Sequence, residues 1–180
     1  MEASARYFGF AFVRSDAEEM LEKAVAELGG AEGVVRLQLA RDGSVRIDLS
    51  EPPATELGPV RVAIHPVPVD SSDIWLYHKT TLRDPYERRR DDRPDVDDVV
   101  LVNDRGEVTE STVANVAVKL GDAWFTPSIG SGLLAGTYRA VLLREGRLRE
   151  RTIRIEQLAD ADGLALVSSV RGWRPAVLVP

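Results

Sequence analysis

Apolar and polar residues alternate with a period of two between residues 33 and 49, a pattern that few architectures can accommodate. Val35, Leu37 and Leu39 share one face, Arg41-Asp42-Gly43-Ser44 supplies turn chemistry, and Val45, Ile47 and Leu49 resume the alternation. This predicts a β-hairpin. A second hairpin is expected where residues 99–102 form a strand that turns at Asn103-Asp104-Arg105-Gly106, and strand patterns recur through residues 113–120, 123–125, 164–168 and 176–179. Residues 60–67 carry a further strand. Pro66 and Pro68, which cannot donate to a ladder, place it at a sheet edge or mark its end.

Helical spacing is sparser. Met20, Leu21, Ala24, Val25 and Leu28 repeat at helical intervals after Ser15-Asp16-Ala17-Glu18, which reads as a capping box. Residues 83–93 suggest a short helix and loop, residues 136–143 a helix after a Gly-rich loop, and residues 156–161 a short helix; residues 51–59, rich in proline and polar side chains, read as a loop. Strands in hairpin runs with few helices between them argue for an α+β fold rather than a doubly wound parallel sheet.

Composition removes several function classes. A chain of 180 residues buries roughly 70% of its unfolded surface without staples. The absence of cysteine excludes disulfides, thiolate nucleophiles and cysteine-based metal sites. A net charge of −6 argues against nucleic acid as a partner, and the one dense basic run, Arg88-Arg89-Arg90, is followed at once by Asp91-Asp92, the pattern of a solvated face. No stretch approaches the roughly 20 apolar residues that span a bilayer, and the first residues lack a signal-peptide pattern, so a soluble, cytoplasmic protein without a membrane partner is expected. His65 and His78 have no companion at ligand spacing, so no metal site is expected.

Three groups of residues carry chemistry. Lys79, one of three lysines, ends the apolar run Trp75-Leu76-Tyr77, where partial desolvation at a strand end would keep its amine neutral and nucleophilic. Glu110 follows the second hairpin turn beside Thr109 and Ser111, and a carboxylate there can hold the proton of a ring nitrogen. Residues 126–139, Thr-Pro-Ser-Ile-Gly-Ser-Gly-Leu-Leu-Ala-Gly-Thr-Tyr-Arg, form a Gly-rich loop entering a helix, whose first N–H groups make an anion site. Each taken alone has a plain reading: a snorkelling surface lysine, a solvent-facing glutamate and an ordinary loop.

Together, in order and spacing, they resemble the class IV aminotransferase family of pyridoxal-phosphate enzymes. The matching pieces are Lys79, Thr109-Glu110 with Asn115-Val116, Thr126-Pro127, and Gly136-Thr137-Tyr138-Arg139. Arg6-Tyr7-Phe8-Gly9-Phe10, Tyr77-His78-Lys79-Thr80-Thr81 and Ser169-Val170-Arg171-Gly172-Trp173 look like the 4-amino-4-deoxychorismate lyase branch, especially the lyase part of fusions with aminodeoxychorismate synthase component I.

The resemblance implies a two-lobed, D-amino acid aminotransferase-like α+β fold. Residues 1–69 would form an incomplete N-terminal small lobe and residues 70–180 the cofactor-binding lobe. It implies pyridoxal 5′-phosphate as cofactor, a small-molecule amino substrate and a homodimer. Carried over by position, Lys79 is the Schiff-base lysine, Glu110 the partner of the pyridine nitrogen, the backbone N–H groups of Thr137 and Tyr138 phosphate donors, and Ser169, with Ser168 beside it, a further phosphate-binding hydroxyl. Family members carry additional chain ahead of the Tyr-Phe-Gly-Phe-like segment, including a His-x-x-Arg stretch whose arginine binds the phosphate. A site without that arginine would forgo charge-assisted bonds of about 1.5–3 kcal/mol. Three activities stay open: a lyase releasing pyruvate and 4-aminobenzoate, a transaminase for branched-chain or D-amino acids, and a truncated, non-catalytic remnant of the fold.

Overall fold

The computed structural model describes residues 1–54 and 58–180, so part of the loop expected over residues 51–59 lies outside the described residues. The chain divides into two compact units, Met1–Thr55 and Glu56–Pro180. The division comes earlier than the boundary between Val69 and Asp70 expected from the sequence, because residues 60–64 are hydrogen-bonded into the sheet of the second unit.

The first unit holds α1 (Glu2–Phe8), α2 (Arg14–Glu27) and the antiparallel hairpin of β1 (Val34–Leu39) and β2 (Val45–Ser50). Leu37 stands opposite Ile47, as the alternation requires. Gly43 turns at φ 93, a left-handed geometry that costs glycine little, and the Asp42 carboxylate accepts from the Ser44 N–H at 2.9 Å. The capping box does not form. α2 starts at Arg14 with Val13 as N-cap, and Ser15 Oγ donates to Asp16 Oδ1 instead of capping. Arg14, paired with Glu2 and Glu18, is drawn into the first turn. Ala17 and Ala24 are the buried residues of α2, whereas Leu21 and Val25 are exposed.

The second unit is a mixed sheet of β3 (Val60–Ile64), β4 (Asp98–Val102), β5 (Val108–Ser111), β6 (Asn115–Leu120), β7 (Ala123–Pro127), β8 (Arg149–Arg151), β9 (Gly163–Ser168) and β10 (Gly172–Leu178), with α3 (Asp84–Asp91), α4 (Thr137–Arg144) and α5 (Glu156–Ala159). The order is β5-β4-β3-β10-β9-β6-β7-β8, and a further pairing of β5 with β6 closes the first six of these strands into a ring. β3 is an interior strand, parallel to both β4 and β10. It is not an edge: Pro66 and Pro68 lie beyond its end and remove no ladder bond.

Alternation along the ring strands sorts two faces. Val100, Val116, Val118, Leu164 and Leu166 join one core with Val62 and Ile153. Their neighbours face the other way. Ala117, Ala165 and Val167 pack with Leu142 of α4, while Val99 and Leu101 pack with Leu76 and against Tyr86 of α3. Both faces of β4, β6 and β9 are therefore covered, and their small β-branched and alanine residues suit that double burial. The two outer clusters hold the segment carrying Lys79 and the helix after the Gly-rich loop against the same sheet.

Candidate active site

The seam that closes the ring pairs Glu110 of β5 with Asn115 of β6. Both side chains are about 5% exposed, so each must find partners inside the protein. Glu110 Oε1 accepts from the Tyr86 hydroxyl at 3.0 Å and Oε2 from the Leu134 N–H at 3.2 Å. Burial pushes the carboxyl up to about 8, against the opposing pull of these two donors and of the Arg83 and Lys79 charges. Burial and the neighbouring Glu110 also push the Tyr86 hydroxyl above its ordinary value, so it remains a donor.

Asn115 fastens the loop ahead of α4. Its Nδ2 donates to Leu134 O at 2.7 Å, and its Oδ1 accepts from the Gly136 N–H at 3.2 Å. Gly136 is the N-cap of α4, and no side chain caps the helix. The first N–H groups of α4, at Thr137 and Tyr138, therefore stand at the positive end of the helix. A methyl group on Gly136 would sit 2.3 Å from Asn115 Oδ1, so glycine is what lets the loop approach the asparagine.

Lys79 differs from expectation. It is exposed and follows a 3-10 turn, Ile74–Leu76, rather than a strand. Asp73 caps that turn by accepting from the Trp75 N–H at 3.0 Å, and of the run only Leu76 is fully buried. The local chemistry of Asp73 thus overrides the strand propensity of the apolar residues. Even so, the Lys79 ammonium is near enough to Glu110 to lower its pKa. Ser168 is the last residue of β9 and Ser169 begins the turn to β10, at the end of the sheet where Val167 stands opposite Asn115. The Ser168 hydroxyl accepts from the Arg171 N–H at 3.2 Å, and Ser169 is exposed.

Sequence reasoning did not single out Tyr86. It is the lone aromatic in the otherwise polar α3, the one available signal. Arg139 is structural: it is 2% exposed and its Nη2 donates to Pro127 O at 2.8 Å and to Glu150 Oε2 at 2.5 Å. Among the described residues no cluster of His, Cys, Asp and Glu is suited to a metal ion, and no helix is long and apolar enough to cross a membrane.

A buried carboxyl and a helix start joined through one loop, with a lysine whose charge acts on that carboxyl, suit a ligand with a basic nitrogen and an anionic group. Such a set is compatible with a cofactor-dependent enzyme of amine chemistry. A family model for amino-transferase class IV matches residues 1–179, and the chain belongs to this family. It is a pyridoxal-phosphate-dependent enzyme with the α+β fold of class IV aminotransferases. A provisionally named aminodeoxychorismate lyase of Schizosaccharomyces pombe is 29% identical over 188 residues, covering 99% of this chain and 80% of that protein. Among solved structures, a provisionally named amino-acid aminotransferase of Mesorhizobium loti has a TM-score of 0.88 at 34% identity, covering 99% of this chain and 87% of that one. The 4-amino-4-deoxychorismate lyase of Pseudomonas aeruginosa shares the fold, with a TM-score of 0.81 at 21% identity over 98% of this chain and 74% of that one.

The residues present fit the cofactor. The α4 start has no side-chain cap and a close-packed glycine, which leaves backbone N–H groups for a phosphate. The raised pKa of Glu110 suits a carboxyl that shares one proton with a pyridine nitrogen.

Proposed function

We propose that the protein cleaves 4-amino-4-deoxychorismate to pyruvate and 4-aminobenzoate. The observation that carries this reading is the similarity to the Schizosaccharomyces pombe protein over nearly the whole chain, with Lys79 and Glu110 in Coulombic reach of one another. Lys79 would hold the cofactor aldehyde, Glu110 the ring nitrogen, and Thr137 and Tyr138 the phosphate through their N–H groups, with Ser168 and Ser169 at its margin. When bound, pyridoxal phosphate supplies an electron sink conjugated to the amino-bearing carbon of the substrate.

With the cofactor in place, Lys79 would be the base that takes the proton from that carbon, and its exposure leaves its amine room to move. The ether bond to the enolpyruvyl group breaks, the ring becomes aromatic, and a proton returned to the departing group completes pyruvate. Atoms balance without added water. Glu110 would hold a proton at the ring nitrogen, with the Tyr86 hydroxyl keeping the carboxyl in place.

A second reading, transamination of an amino acid, is favoured by the 34% identity to the Mesorhizobium loti protein. The two separate cleanly in one assay. A lyase releases pyruvate from 4-amino-4-deoxychorismate with no keto-acid acceptor, and a transaminase needs the acceptor. Borohydride reduction with added pyridoxal phosphate should label Lys79, and Lys79→Ala should abolish the adduct. Label on another lysine would overturn the assignment, and pyruvate release only on addition of a keto acid would overturn the lyase.

A further inference from the structure

The turn between β4 and β5 grips two segments that matter to the site. On one side it holds the run that leads to Lys79: the Asp104 N–H donates to Val69 O at 3.0 Å, the Ser71 N–H donates to Asp104 Oδ1 at 3.1 Å, and the Tyr77 hydroxyl donates back to Ser71 O at 2.6 Å. On the other it holds the loop that leads to α4, because Asn103 Nδ2 donates to Ser131 O at 2.8 Å. Arg105 spans both. Its Nη1 bonds Ser71 Oγ, and its Nη2 donates to Gly130 O at 2.8 Å. Glu107 Oε2 accepts from Arg105 Nη2 and Asn103 Nδ2, each at 2.8 Å. The two segments also touch. A methyl group on Gly132, at φ 94, would lie 3.0 Å from Leu76 Cδ1 and 3.3 Å from Ser71 Cα.

We propose that Arg105, aligned by Glu107, is a positioning residue that sets the separation between the Lys79 segment and the start of α4. A ligand that carries both an aldehyde and a phosphate is then held at two points at once. The proposal rests on the assignments of Lys79 and α4 made above. Its physical basis is that two attachments reinforce each other only when the spacing of their anchors matches the ligand. Slack between the anchors removes the reinforcement and leaves each attachment as it was. The Glu107 carboxyl, held down to about 2 chiefly by Arg105, stays charged at any working pH, so the strut is permanent rather than a switch.

The test compares pyridoxal phosphate with pyridoxal, which lacks the phosphate, on the full chain and on Arg105→Ala and Glu107→Gln. Arg105 is 44% exposed at its side chain, so its loss should leave the chain folded. Occupancy is read by borohydride trapping at Lys79 across a ligand titration. Arg105→Ala should weaken pyridoxal phosphate by about ten- to a hundredfold, part of the roughly 10²–10⁴ gain that two matched attachments can supply, and leave pyridoxal unchanged. Glu107→Gln keeps an acceptor for Asn103 but loses the ionic hold on Arg105, so it should act in the same direction and less. Equal losses for both ligands, or wild-type affinity for pyridoxal phosphate in Arg105→Ala, overturn the strut alone. A wild-type adduct away from Lys79 overturns the site assignment and the strut with it.

Discussion

Replacing Gly136 by alanine should damage the site although the backbone there, φ −64 and ψ 147, suits any residue. The cost is contact. The new methyl carbon would stand 2.3 Å from Asn115 Oδ1, where ordinary contact starts near 3.4 Å, so about 1 Å must be found. If Asn115 gives way, it loses bonds to Leu134 and Gly136 and leaves a buried amide short of partners, at about 2–4 kcal/mol. If the start of α4 gives way, the N–H groups proposed as phosphate donors lose alignment with an anion, and since charge-assisted bonds are worth about 1.5–3 kcal/mol, binding should weaken by about tenfold or more. Urea denaturation and a pyridoxal phosphate titration measure the two responses. Asn115→Ala removes the clashing oxygen, so adding Gly136→Ala in that background should cost little and the double-mutant cycle should show strong coupling. Wild-type stability and affinity in Gly136→Ala, or simple additivity in the double variant, would refute the argument.

Two further outcomes follow from buried groups. Glu110 has a folded pKa of about 8 against an ordinary 4.5, so the folded state binds more protons between those values; the stability of cofactor-free protein should fall as pH rises through the window, by up to about 1.4 kcal/mol per unit. Glu110→Gln should flatten that slope and also slow turnover, and an unchanged pH dependence in denaturation would show that the carboxyl titrates normally. Arg139→Met should cost about 3 kcal/mol, the low end for breaking a buried pair, since Glu150 is 39% exposed and regains water. The cofactor affinity of the folded variant should not change, and a selective loss of affinity measured by titration would give Arg139 a part in binding that its bonds do not indicate.

The hairpins were legible because alternation and turn residues are local: Leu37 meets Ile47, and the turn at 103–106 falls where its Asn, Asp and Gly place it. Long-range pairing was not. Nothing near residues 60–64 encodes that they sit in parallel between β4 and β10, whose partners come from positions 98–100 and 176–178; the prolines left an edge and a strand end equally open, and the structure has the end. The site shows the same divide. Glu110 and the α4 start were readable as residue types in order. What joins them is tertiary: Leu134 donates its N–H to Glu110 and lends its carbonyl to Asn115, so one loop residue couples the buried carboxyl to the helix that follows. With the cofactor held as proposed, a change that shifts Leu134 should disturb its ring nitrogen and its phosphate together. Variants in residues 133–136 should accordingly alter the ring-nitrogen environment and phosphate binding in parallel, whereas variants in Tyr86, whose hydroxyl bonds Glu110, should alter the former and spare the latter.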